Sequence, residues 1–119
     1  MSALITFDFN DGLGPVPAHK HPNGGGWVAN TAHVDATAYV GHDAWVSGNA
    51  RVSGDAWVSG AAWVFGDARV SGSARVSGNA RVFGDARVFG DARVSGNARV
   101  SGNARVYQYV PAVALETAQ

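Results

Sequence analysis

The side chains best suited to chemistry stand near the start of the chain. His19-Lys20-His21 precedes Gly24-Gly25-Gly26, and His33 and His42 follow. A His-x-His pair can ligate a metal, a neutral imidazole can act as a general base, and successive glycine N–H groups can form an anion-binding nest. A metal site needs three or four converging ligands with a supporting second layer. Only His33 and His42 fall in the regular part of the chain, one mid-strand and one at a corner. The expectation is therefore a polar capping loop, with no metal and no cofactor. The absence of cysteine removes disulfides and zinc-thiolate sites as well.

A second set of residues is larger. Four tryptophans and eight arginines recur at multiples of six positions, and their chemistry would be that of recognition: apolar contact, planar stacking and anion binding. What positions them is a repeat. Alanine stands at 32, 38 and every sixth position through Ala104, with valine two places later from Val34 to Val106, thirteen times without an insertion. In Ala-Arg-Val the apolar residues alternate with a polar one, which predicts a short strand with alanine and valine inward. Gly48 through Gly102 follow at ten consecutive repeats, each usually before Asn or Asp, and supply a sharp corner. One hexad cannot bury its own apolar face, so neighbours must stack into a coil of parallel strands.

This pattern, seen in Val46 with Ala50 and Val52 with Ala56, resembles the hexapeptide-repeat superfamily. The resemblance implies an all-β fold: a left-handed parallel β-helix, triangular in section, with eighteen residues per coil. Counting the degenerate hexads at Gly26-Trp27-Val28 and Val110-Pro111-Ala112, it implies about five coils, roughly 24 Å tall. The expected organisation is a cap and loop over 1–26, the β-helix over 27–112 and a tail over 113–119. Members of that superfamily are usually trimers, so a homotrimer is expected. The opening through Trp27-Val28 is also similar to hexapeptide proteins encoded by phages and prophages.

Eighteen-residue stacking turns the outward residues into three columns. The first is Trp27, Trp45, Trp63, Arg81, Arg99; the second is His33, Arg51, Arg69, Arg87, Arg105; the third is Tyr39, Trp57, Arg75, Arg93. The aromatic set, Trp27, Trp45, Trp63, Tyr39 and Trp57, is expected to form a subunit or partner interface, or to support the sheet by stacking on itself. Arg51, Arg69, Arg87 and Arg105 are the candidates for contact with an anion or acidic partner. Neutral net charge and the nearby Asp55, Asp67, Asp85 and Asp91 favour a solvated, charge-paired face over nucleic-acid binding. Phe65 with Phe83, and Phe89 with Tyr107, should stack as corner ladders.

At the ends, Leu4 to Phe9 is expected to be a strand, and residues 11–15 and 19–26 loops that cap the first coil. Pro111 should end strand pairing, and Ala112 to Gln119 should cover the last coil. The first residues have no basic stretch followed by a long apolar one, and no segment could span a bilayer. The expected location is the cytoplasm, that of the host if the chain is phage-encoded, with no membrane partner. The function expected is non-catalytic: a scaffold or binding protein that acts through its outer faces, inhibits a host complex or sequesters a ligand. The alternative is a hexapeptide-type acyltransferase with a site between subunits, in which His33 or His42 would be the base. Against it stand an unbroken repeat without an excursion loop and a short tail. A carbonic-anhydrase-like trimer would need a close histidine pair that the spacing of His33 and His42 does not provide, and ice binding would need threonine ladders.

Overall fold

The computed structural model describes residues 5–9 and 14–107, and the backbone of 109–110. The residues expected to end the pairing and to form the tail, Pro111 to Gln119, lie outside the described residues, as do Leu4 and most of the first expected loop. Three longer strands open the chain: β1 (Thr6–Asp8), β2 (Pro15–Lys20) and β3 (Trp27–Ala29). Two-residue strands then follow at six-residue intervals, from His33–Val34 through Arg105–Val106, and Tyr109–Val110 closes the series.

From Trp27 to Arg105 each strand pairs in parallel with the strand eighteen residues on, as Trp27 with Trp45, His33 with Arg51 and Tyr39 with Trp57, while Arg93 pairs with Tyr109, sixteen residues on. The result is a three-sided parallel β-solenoid of about four turns with about eighteen residues per turn. With strands about 4.8 Å apart, the four steps from Trp27 to Arg99 span about 19 Å along the axis. The third column runs one rung further than the outward residues of the repeat suggested, because Arg93 pairs with Tyr109. Alanines from Ala38 to Ala104 and valines from Val40 to Val106 fill the interior, and nearly all are fully buried. The small side chain and the branched one suit the narrow triangle, because larger residues would force the walls apart.

The corners continue the ladder. Ala50 donates its N–H to Ser47 O at 3.3 Å within one corner, while Asn49 N–H donates to Gly66 O at 2.9 Å in the next turn. Gly48, Gly66 and Gly84 therefore lie one above another with backbone against backbone. The first turn lacks this glycine. There the hydroxyls of Thr31 and Thr37 donate to Gly48 O and Gly54 O and hold the same contacts with side chains.

The N-terminal segment differs from the expected loop. Pro15–Lys20 is a strand, antiparallel to β1 on one side and to β3 on the other. Pro15, His19 and Lys20, expected in the two loops, thus belong to a strand; its prolines lack ladder donors, yet other groups still bond: Ala18 N–H donates to Ile5 O at 3.0 Å, and Pro17 O accepts from Asn30 N–H at 2.9 Å. β2 thus covers the first edge of one face. The turn at 21–26 covers the start of another, where Gly26 N–H donates to Val40 O and Val40 N–H to Asn23 O.

Candidate binding faces

The aromatic residues of the first column are covered from within the chain. Phe7 stacks on Trp27 with centroids 4.6 Å apart and meets Trp45 edge-on at 5.2 Å. Phe9, fully buried, packs edge-on against Trp45 at 5.8 Å. Together with Val16, Ala18 and Ala29 they form a second apolar cluster, separate from the solenoid interior. Trp63 continues the row, donates from Nε1 to Ser47 Oγ at 2.9 Å, and stands beside Arg81, whose guanidinium lies 5.8 Å from the indole centroid. Trp27, Trp45 and Trp63 are consequently half-buried in the single chain. The alternation Phe7-Asp8-Phe9 was the signal for this cover, two rings on one side of a short strand.

The third column stays more open. Tyr39 and Trp57 stack with centroids 4.1 Å apart, and Trp57 is 44% exposed. Gly24 permits the turn to press on this pair, since a side-chain carbon at Gly24 would collide with Val40 O and the Tyr39 ring. The corner ladders form as expected: Phe65 on Phe83 at 4.9 Å, and Phe89 on Tyr107 at 5.8 Å.

The arginines depart from the charge-paired arrangement expected of them. Among the described residues no arginine lies within ion-pair distance of a carboxylate; the ion pairs there are His33 with Asp35 and His42 with Asp43. Asp67 and Arg69 are two positions apart, but one occupies a corner and the other mid-strand, and the short carboxylate does not reach. Charge is also unevenly spread. Residues 45–107 carry all eight arginines against four aspartates, whereas the lysine and the other five acids lie outside that stretch. Arg51, Arg69, Arg87 and Arg105 stand in register along one face and, with Asn49, Asp67, Asp85 and Asn103, line a groove of about 510 Å³.

The histidines are dispersed. His19 Nδ1 lies 2.6 Å from Asn30 Oδ1. His21 is buried and donates from Nε2 to Ala38 O at 2.8 Å, fastening the capping turn. His42 meets Asp43 at 3.4 Å on the surface. Among the described residues no three histidine or acidic side chains converge as a metal site would require. Nor is the glycine run a free nest, because Gly25 N–H donates to His21 O and Gly26 N–H to Val40 O.

His33 Nε2 and Asp35 Oδ1 lie 3.0 Å apart, and Asp35 Oδ2 also accepts from Gly54 N–H at 3.0 Å. The Gly54 amide foremost, and then His33, hold the Asp35 carboxyl below its ordinary value of 3.8. A carboxylate whose folded pKa is depressed contributes stability that is present above its unfolded pKa and lost as pH falls through the folded one. The Asp35 carboxyl carbon, followed by NMR, should therefore titrate with a midpoint below 3.8, and Asp35→Asn should lower stability near neutral pH while making it fall less steeply in acid. A midpoint at or above 3.8 would show that the Gly54 bond is not held in solution.

The fold defines the class: a three-sided parallel β-solenoid whose outward residues form columns of aromatic side chains and arginines. The family described as YdcK beta solenoid repeat matches residues 44–60, 62–78, 74–90, 86–100 and 98–110, together just over half of the chain, and the chain belongs to it. No curated protein and no solved structure matches the chain significantly. Among the described residues no helix is long and apolar enough to cross a membrane.

Proposed function

We propose that this chain is a non-catalytic binding protein that works through its outer faces. The reading is carried by one observation: eight arginines point outward in registered rows, and none has a carboxylate partner among the described residues. Guanidinium groups left without internal partners keep their donors available for an acidic partner or ligand. We further place the chain in the hexapeptide-repeat superfamily, as a left-handed solenoid of about five coils, and as a phage-type protein acting in the host cytoplasm by occupying a host complex or sequestering a ligand. Trp57, exposed on a sheet face, and the Phe89–Tyr107 ladder, exposed at a corner, support assembly into a homotrimer, because bare apolar rings favour burial against another copy.

Light scattering on the purified chain should give three times the 12.3 kDa mass of one copy, and Trp57→Lys should shift that mass toward the single chain. Affinity capture from bacterial lysate should retain partners with the natural sequence and lose them with Arg69→Gln/Arg87→Gln. Equal retention by both would remove the face of Arg69 and Arg87 from the function.

One observation favours a second reading, acyl transfer. Asp35 orients the His33 ring, and the groove at Thr31, His33, Asn49 and Arg51 lies beside it. Turnover of acetyl-CoA that disappears in His33→Ala would establish that reading in place of the first.

A further inference from the structure

We infer that the groove along Arg51, Arg69, Arg87 and Arg105 binds a linear acidic polysaccharide laid parallel to the solenoid axis. The inference deepens the binding reading above and is independent of the compartment.

Three features of the groove select this class. The first is spacing. The four arginines are in strict backbone register, so their side chains leave the sheet at the strand separation of about 4.8 Å. That interval is close to the length of one sugar unit in an extended chain, so successive acidic units meet successive rungs. Phosphates of inorganic polyphosphate repeat at a shorter interval, and those of an extended single-stranded nucleic acid at a longer one.

The second feature is the companion row. Asp67 and Asp85 stand at the middle of the groove and Asn49 and Asn103 at its ends, all lining the same space as the arginines. A pure polyanion would meet repulsion from the two carboxylates and has no donors for them. A uronate or sulfated sugar carries hydroxyl groups beside its anionic group. The arginines can hold the anion as a two-pronged donor while Asp67 and Asp85 accept from hydroxyls.

The third feature is what the groove lacks. No aromatic side chain lines it. Single-stranded nucleic acids are generally bound by a basic track combined with rings on which the bases stack. The exposed rings of this chain lie in the third column and at the corners, and of these Phe89 borders the arginines from outside the groove, in an adjoining cavity with Arg69, Ser71, Arg87 and Arg105.

The test uses the full-length chain and calorimetric titration with five probes: an alginate oligomer, dextran sulfate, neutral dextran, inorganic polyphosphate and oligo(dT). Alginate or dextran sulfate should bind, and dextran should not. Arg69→Gln/Arg87→Gln should weaken binding at least tenfold. Arg81→Gln/Arg99→Gln, which removes the same charge from another face, should change it less than threefold. Asp67→Asn/Asp85→Asn should weaken the glycan and strengthen polyphosphate, a divergence that charge alone cannot produce. Circular dichroism on each variant keeps loss of fold apart from loss of binding. Equal weakening by the two arginine pairs, or tighter binding of polyphosphate or oligo(dT) than of both acidic glycans, would overturn the inference. Should no polyanion bind while lysate capture still depends on Arg69 and Arg87, the inference fails and the binding reading stands. Should neither hold, both fail.

Discussion

Gly60→Ala destabilises the solenoid by about 2–4 kcal/mol, while Gly41→Ala costs under about 1 kcal/mol. Gly60 has φ +62°, a left-handed backbone that costs an alanine about 1–2 kcal/mol. A methyl group there would also lie 2.9 Å from both N and O of Gly78 in the next turn, closer than packed atoms tolerate. Crowding against backbone cannot be relieved by a rotamer change, and overpacking of this kind costs a further 1–3 kcal/mol or so. The reduced freedom of the unfolded alanine chain offsets about 0.4–1 kcal/mol. Gly41 is the control. Its φ is ordinary, and the nearest atoms to an added methyl are Ser59 Cα and a Tyr39 ring carbon, both at 3.4 Å. Urea titrations of the two variants at equal protein concentration measure the difference. Equal midpoints would mean that the corners do not stack glycine on glycine.

Phe9→Ala releases the N-terminal hairpin from the tryptophan row, with a loss of about 3–5 kcal/mol in docking. Phe9 is fully buried, but its contacts lie in the outer cluster with Trp45 and Phe7 rather than in the solenoid interior. The change should therefore appear as local opening and leave the coils intact, since strands far from the site keep every rung. Tryptophan emission should shift to the red as Trp27 and Trp45 gain water, and a protease should cut near β1 sooner, while far-ultraviolet dichroism changes little. Ile5→Ala, at a side chain 57% exposed in the same segment, should stay within about 0.5 kcal/mol of the natural chain. Unchanged emission in Phe9→Ala would mean that β1 is not the cover of this face.

These variants also separate the two origins of the surface. The aromatic half is partly closed by the chain's own first strands, leaving Tyr39 and Trp57 as the more accessible pair. The arginine half is left open on all three sides. Aspartates two positions from the arginines suggested neutralisation, and a linear sequence could suggest little else, because the distance between a corner carboxylate and a mid-strand guanidinium depends on how the corner turns.

The amino-acid sequence by itself determined the rungs. A phrase of six residues puts every Ala, Val and Gly in one repeated environment, so the inward pair and the corner follow from local chemistry, while the count of three hexads per turn, which sets Trp27 over Trp45 and Arg51 over Arg69, came from the family resemblance. The tertiary structure decided whatever happens only once. Pro15 and Pro17 form a strand because β1 and β3 accept them as neighbours, and Phe7 and Phe9 settle on the tryptophans because that row is the apolar surface within reach. Periodicity carries information about surroundings that recur, whereas the docking of a single segment depends on partners distant in sequence, which no local pattern encodes.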